Sequence, residues 1–246
     1  MNLWRLEILR LYRTYRIWIL LGVFASFGAL GPLTARFLPE IVDAVGGGVE
    51  IAVPTPTPEL AMAGYLGNAL QIGMLAIAFV SAAALAFDAN TEMSVYLRTR
   101  ASVRQILTPR YAVNMAAAVV SFFVGTAIAY LGTAVLIDTP RLGGTVVATL
   151  LLAVYLAFVV ALTGLAASFV KSVPGAALIA VSVLIVVGII GLIPQVEPWL
   201  PSNLVGSFDV LISGGAFEYW RSLVVTIVLS YGCVAASIAL MGRREV

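Results

Sequence analysis

Asp88-Ala-Asn-Thr-Glu-Met-Ser-Val-Tyr-Leu-Arg-Thr-Arg-Ala-Ser-Val-Arg-Gln-Ile-Leu-Thr-Pro-Arg110 is a long polar segment held between two apolar runs. The runs, about 65–87 before it and 111–137 after it, each reach the roughly 20 residues that span a bilayer core. A polar segment between two spans must lie at one membrane surface. Its Arg98, Arg100, Arg104 and Arg110 assign that surface to the cytoplasm, because basic residues concentrate in cytoplasmic loops. Met93, Tyr96 and Leu97 fall at helical spacing among the charges, and Ser102-Val-Arg-Gln105 matches a capping box, a local helix start. Two readings of the loop stand side by side. Either it is an ordinary basic inner loop, or it is a short helix whose apolar face is covered by lipid or by a partner protein.

Outward from the loop, the rest of the chain repeats the pattern. Of the 246 residues 61% are hydrophobic and 11% charged, and the mean hydropathy is +1.05. Soluble domains carry about 25% charged residues, so a soluble globular chain is excluded. Further apolar runs lie at about 17–35, 145–170, 175–193 and 223–241. The expected fold is therefore an all-α integral membrane protein of six transmembrane helices, a single transmembrane domain over 1–246. With both termini cytoplasmic, eleven basic residues lie inside and only Arg36, Arg141 and Arg221 outside, in keeping with the positive-inside rule. Thr108 as N-cap with Pro109 following marks the expected start of the third span.

Two segments outside the spans carry structure of their own. In residues 1–16, Trp4, Ile8, Leu11 and Tyr15 share a helical face while Arg5, Arg13 and Arg16 point away from it. This suits an interfacial helix, and equally the positive flank of a first span. Residues 194–222 are too apolar for a plain loop, yet Pro194, Pro198 and Pro201 forbid one continuous helix. Either short broken helices re-enter the outer leaflet, where Trp199, Tyr219 and Trp220 anchor them, or the segment is a surface loop with interfacial aromatics.

Several chemistries are closed to this sequence. It has no histidine and one cysteine, Cys233, which removes Ser-His catalysis, His-based metal sites and a disulfide framework. No catalytic residue and no metal ligand is assigned. The single lysine, Lys171, does not follow a glycine-rich loop, so no phosphate-cradling loop exists here and any ATP must be bound by another subunit. No ionisable side chain falls at mid-depth in the expected spans. Ion-coupled carriers usually keep one there. Asn68 and Gln71 share a face of the second span, and with Asn114 of the third they are candidates for a translocation path. Amides that merely bond across helices would explain them as well.

In order of features the chain resembles the membrane subunit of ABC exporters, the ABC type-2 permease family. The resemblance covers almost the whole chain and is most visible at Thr99-Arg-Ala-Ser-Val-Arg-Gln-Ile-Leu-Thr-Pro-Arg-Tyr111. A second trace is Leu38-Pro-Glu-Ile followed by Pro54-Thr-Pro-Thr-Pro, Asn68 and Gln71. The family's Gly-Thr before the coupling region is absent, Arg100 stands where proline is frequent, and Pro109-Arg110 replaces Gly-Lys. The resemblance implies an N-terminal interfacial elbow helix at Trp4, Ile8, Leu11 and Tyr15, and re-entrant outer helices between spans five and six. It also implies a cytoplasmic coupling helix at Glu92, Met93, Tyr96, Leu97, Arg98, Arg100 and Arg104. The implied partners are a P-loop ATPase carrying ATP and magnesium, a second permease copy or homologous permease, and the lipid bilayer of a bacterial inner membrane, with no nucleic acid. The expected activity is export of a hydrophobic or amphiphilic substrate such as a drug-like molecule or lipid. The rivals are a secondary carrier acting alone, an intramembrane enzyme, and a non-transporting immunity or assembly protein.

Overall fold

A computed structural model of the protein describes residues 3–45, 55–86 and 102–243. Among these residues every regular element is a helix, with no strand. Six helices are long and apolar enough to cross a membrane. Helix α1, Leu3–Arg13, precedes α2, Arg16–Val45. Then come α3, Pro58–Leu85, and α4, Val103–Leu136. After them follow α5, Leu142–Phe169; α6, Val173–Ile190; α7, Asn203–Ile212; and α8, Trp220–Arg243. The six candidate spans are α2, α3, α4, α5, α6 and α8.

Local chemistry sets the helix starts. Thr57 accepts the Leu60 amide at 3.2 Å and Pro58 supplies the first helical residue of α3, an orphan-amide position where proline loses nothing. At α4 the capping box closes in both directions: the Gln105 amide donates to Ser102 Oγ at 3.3 Å, and the Ser102 amide donates to Gln105 Oε1 at 3.1 Å. That box overrides the expected start at Thr108. Thr108 lies within the helix and donates its hydroxyl to the Arg104 carbonyl at 2.8 Å, and Pro109 is carried inside α4. The first span is likewise longer than its apolar run, because α2 continues through Pro32 and Pro39 to Val45.

The core is built in two seams. In the first, α2 packs closely on α3 and α4. Phe24 meets the Phe122 ring edge-on at 5.8 Å, and Tyr65 stacks on the same ring at 6.2 Å. Glycine permits this approach: a Cβ on Gly125 would lie 2.6 Å from the Phe24 carbonyl oxygen. In the second seam α5 touches α3, α4, α6, α7 and α8. Of the most apolar stretch of α5 72% is buried by protein, against 11% for α8. Helix α5 is therefore the axis of the bundle, and α8 is a peripheral span.

The segment between α6 and α8 is a pair of short helical pieces, as its prolines require. A 3-10 turn, Glu197–Trp199, leads into α7. Helix α7 buries Leu204, Phe208, Leu211 and Ile212 and packs against α5, which accounts for the apolar composition. It ends in a Schellman turn, with the Gly215 amide on the Val210 carbonyl at 2.7 Å and Gly214 at φ +94°, a conformation that glycine adopts without strain. Ser222 of α8 donates to the Pro198 carbonyl at 2.8 Å and accepts from Asn203 Nδ2 at 2.9 Å. The Arg221 guanidinium lies 5.4 Å from both the Trp199 and Trp220 rings.

Candidate functional site

Among the described residues, three places set polar side chains where they can hold the bundle together or meet a ligand. The first is where α1 packs on the start of α4. Arg110, one of the four loop arginines, is 3% exposed. Its Nε donates to Glu7 Oε1 of α1 at 2.9 Å, and its Nη1 reaches the Ala84 carbonyl at 3.5 Å. Beside it Arg16 Nη2 donates to the Ala83 carbonyl at 3.0 Å. The last carbonyls of a helix have no intrahelical donor, so two guanidinium groups close the C-terminal end of α3. Arg10 adds a longer ion pair to Glu7 at 3.7 Å. One carboxylate thus joins α1 to α4 at the foot of the polar segment. The sequence signal is Glu7, the single acidic residue among the arginines of 1–16.

That latch turns α1 differently from expectation. Its inward face carries Glu7, Arg10 and Leu11. Trp4 and Ile8 are exposed at 49% and 46% while Leu11 is buried, so the four expected face residues are divided between two surfaces. Tyr15 has left the helix altogether, at φ 57°, where the chain turns sharply into α2.

The second place is one face of α3. Asn68 and Gln71 are both exposed on it, and Gly64 and Gly67 beside them have no heavy atom within 4 Å of where a Cβ would sit. Asn68 Nδ2 donates to the Gly64 carbonyl at 2.9 Å. Gln71 lies 13 residues into the helix, about 20 Å along it. An amide-bearing face therefore runs to the middle of a span without being covered by its own bundle. Asn114, the third expected member, is elsewhere: it is buried, bonds the Arg110 carbonyl through Nδ2 at 2.8 Å, and leaves Oδ1 without a partner. The structure brings Asn68 and Gln71 together and separates Asn114 from them.

The third place is a cavity of about 500 Å³ that opens beside Gln71. Helix α3 contributes Gln71, Met74 and Leu75, and α5 contributes Tyr155. Helix α6 supplies Val181, Leu184, Ile185 and Gly188, and the far wall is Ser202 and Val205 at the start of α7. No Asp, Glu, Lys or Arg borders it. Tyr155 is 4% exposed, and its hydroxyl forms no hydrogen bond among the described residues. Ser202 Oγ is buried with no partner. A concave, largely apolar space with a few unsatisfied polar groups has the character of a small-molecule site. The sequence had marked Gln71; Tyr155 and Ser202 carried no periodic or motif signal.

Of the expected coupling residues, Glu92, Met93, Tyr96, Leu97, Arg98 and Arg100 lie outside the described residues. Arg104 is described, exposed in the first turn of α4. Comparison of the chain with protein-family models and with curated proteins found no match, and what stands from sequence and structure together is a multi-pass, all-helical membrane protein.

Proposed function

We propose that this chain is the membrane-spanning permease subunit of an ATP-driven exporter of the ABC type-2 kind, powered by a separate P-loop ATPase and paired with a second permease. The observation that carries the reading is the uncovered face of α3. Asn68 and Gln71 in the middle of a span are costly against lipid, and intramembrane polar residues usually face a partner helix or a hydrated path. A second permease copy facing α3, with a path between the copies, gives these amides a polar environment.

The remaining features support the same reading. The sequence has no phosphate-cradling loop, so the energy comes from a partner. The central turns of α2, α3, α4, α5, α6 and α8 carry no ionisable Asp, Glu, Lys or Arg, which disfavours an ion-coupled carrier. In this reading both termini are cytoplasmic in a bacterial inner membrane. Helix α1 is the interfacial elbow with Trp4 and Ile8 toward lipid, and the Glu197–Trp199 turn and α7 re-enter the outer leaflet. ATP binding closes the ATPases, which push on residues 92–106. Because α4 is one unbroken helix of 34 residues from Val103, a displacement at Arg104 is transmitted along a rod about 50 Å long. Arg110 and Glu7 carry the same displacement to α1. The cargo is hydrophobic or amphiphilic.

Purification of the tagged chain from its native host in mild detergent, with mass spectrometry of co-purifying chains, tests the proposal. A stoichiometric P-loop ATPase is expected. Its absence across several detergents would overturn the reading and favour a carrier acting alone.

A further inference from the structure

We infer that the cavity between α3, α5, α6 and the start of α7 is a binding site for an uncharged amphiphile of drug size, whose hydrogen-bonding group is held by Tyr155, Ser202 and Gln71. The inference deepens the permease reading by naming the class of ligand, and it is tested by binding rather than by transport. Loss of the ATPase partner would leave it standing.

Size, charge and unsatisfied chemistry each restrict the occupant. A volume of about 500 Å³ falls in the range of small-molecule pockets, and it is too small for a helix of a partner protein. The wall holds no formal charge, so an ion entering from water or headgroup would lose its hydration with no counter-charge to replace it. The wall is also not purely apolar. Tyr155 is almost wholly buried with a hydroxyl that bonds nothing among the described residues, and Ser202 Oγ is buried and unpaired. A buried hydroxyl such as that of Ser202 normally finds a partner, the Tyr155 hydroxyl keeps accessible surface beside the cavity, and both can donate or accept. An amphiphile bearing a hydroxyl, amide or carbonyl supplies what they lack, while its apolar body lies along Met74, Val181 and Leu184. Entry is lateral. Gln71, Leu75 and Ile185 are exposed, Ile185 at 58%, Gln71 on the α3 face that in the permease reading adjoins the second copy and its path, and Ile185 on α6 toward lipid. Gly188 keeps the wall open, because nothing lies within 4 Å of where its Cβ would be.

The test uses photolabelling of the full chain in neutral phosphatidylcholine nanodiscs. The probes are a 12-carbon primary alcohol carrying a mid-chain diazirine and its trimethylammonium analogue. Adducts are mapped by peptide mass spectrometry. The alcohol is expected to label α5 around Tyr155 and α6 around 181–188, and to do so in preference to the ammonium probe. Gly188→Phe fills the cavity and should remove that labelling, whereas Gly22→Phe, at a glycine equally free of neighbours on α2, should not. Ile185→Trp narrows the mouth and gives the same readout should Gly188→Phe fail to fold. The pair Tyr155→Phe and Ser202→Ala should weaken labelling by the alcohol about five-fold or more, the factor that one uncharged hydrogen bond is worth, with no change for the ammonium probe. Labelling spread evenly over the exposed faces of α6 and α8 would show ordinary lipid contact and overturn the site. Equal labelling by the two probes, or labelling indifferent to Gly188→Phe and Ile185→Trp, would also overturn it. So would labelling that appears only when a dimer is dissociated, since the second copy would then seal the cavity.

Discussion

Replacing Glu7 by Gln should destabilise this protein far more than its place near the chain terminus suggests. The Arg110 side chain is 4% exposed and that of Glu7 14%, with 2.9 Å between Nε and Oε1. Breaking a buried ion pair from one side costs about 3–5 kcal/mol, because the remaining charge is left in a poor solvent. Glu7 keeps some exposure and Arg110 keeps the Ala84 carbonyl, so the expected cost is about 2–3 kcal/mol, the scale of a hydrogen bond to a charged group. For a chain of this length each kcal/mol moves the midpoint by about 2–4 °C, and Glu7→Gln should lower it by roughly 4–12 °C. Midpoints are compared at one scan rate in one detergent, since membrane proteins commonly unfold irreversibly. Arg36→Ala is the control: its pair with Glu40 is 3.9 Å long with side chains 46% and 65% exposed, and exposed pairs are worth about 0–1 kcal/mol. The double variant Glu7→Leu with Arg110→Met should recover much of the loss, because two apolar groups leave no stranded charge. A Glu7→Gln midpoint equal to that of Arg36→Ala would refute the latch, and so would a double variant less stable than the single variants combined.

Gly125→Ala should lower the midpoint by an amount set by overpacking, about 1–3 kcal/mol, because its Cβ would meet the Phe24 backbone; Gly22→Ala, in open space, should be neutral or raise it. Partial burial pushes the Asp209 carboxyl up although the residue stands exposed on α7, so the folded state is penalised only weakly where that group is ionised and the penalty vanishes below the unfolded value. Asp209→Asn should therefore raise the midpoint slightly near neutral pH, and the gain should shrink as pH falls through the raised value toward the ordinary carboxylate range; a gain that grows with acid would reverse the assignment. Combined charge reversal at Arg98, Arg100 and Arg104 should leave folding and partner ATP hydrolysis intact while abolishing transport. Unaltered transport in that variant would sink the coupling role of the segment.

What the sequence disclosed about the fold follows from the energetics of the bilayer. A span must be long and apolar, so six spans were legible in runs such as 145–170, which became α5 at Leu142–Phe169. Helix ends were legible only where their caps are local. Ser102 and Gln105 set the start of α4 through hydrogen bonds between residues three apart, and the signal of Thr108 with Pro109 lost because a cap further upstream was available and closed in both directions. That α2 runs on unbroken from the span to Val45 was not legible. Hydropathy falls at Arg36, but a helix need not stop where it leaves the apolar run, and Arg36 with Glu40 supplies an i,i+4 pair in its extension.

The interior polar groups show where pattern reading stops. Asn68 and Gln71 were found because three residues apart on a helix is a local fact, and α3 does present both on one face. Asn114 was grouped with them by residue type alone, and the rotation of α4 about its axis, fixed by Phe122 and Gly125 packing on α2, directs it elsewhere. Glu7 with Arg110 is separated by 103 positions, and Tyr155 lines one cavity with Ser202 only because α7 folds back onto α5. Neither pairing leaves a period or spacing in the sequence. They have a common cause, since each is set by where a non-spanning helix docks. Helix α1 brings its one carboxylate to a buried arginine, and α7 brings an unpaired serine to the rim of an apolar cavity. The spans define the scaffold by composition, and the two short docked segments place the charge and the hydroxyl that make its ends chemically distinct.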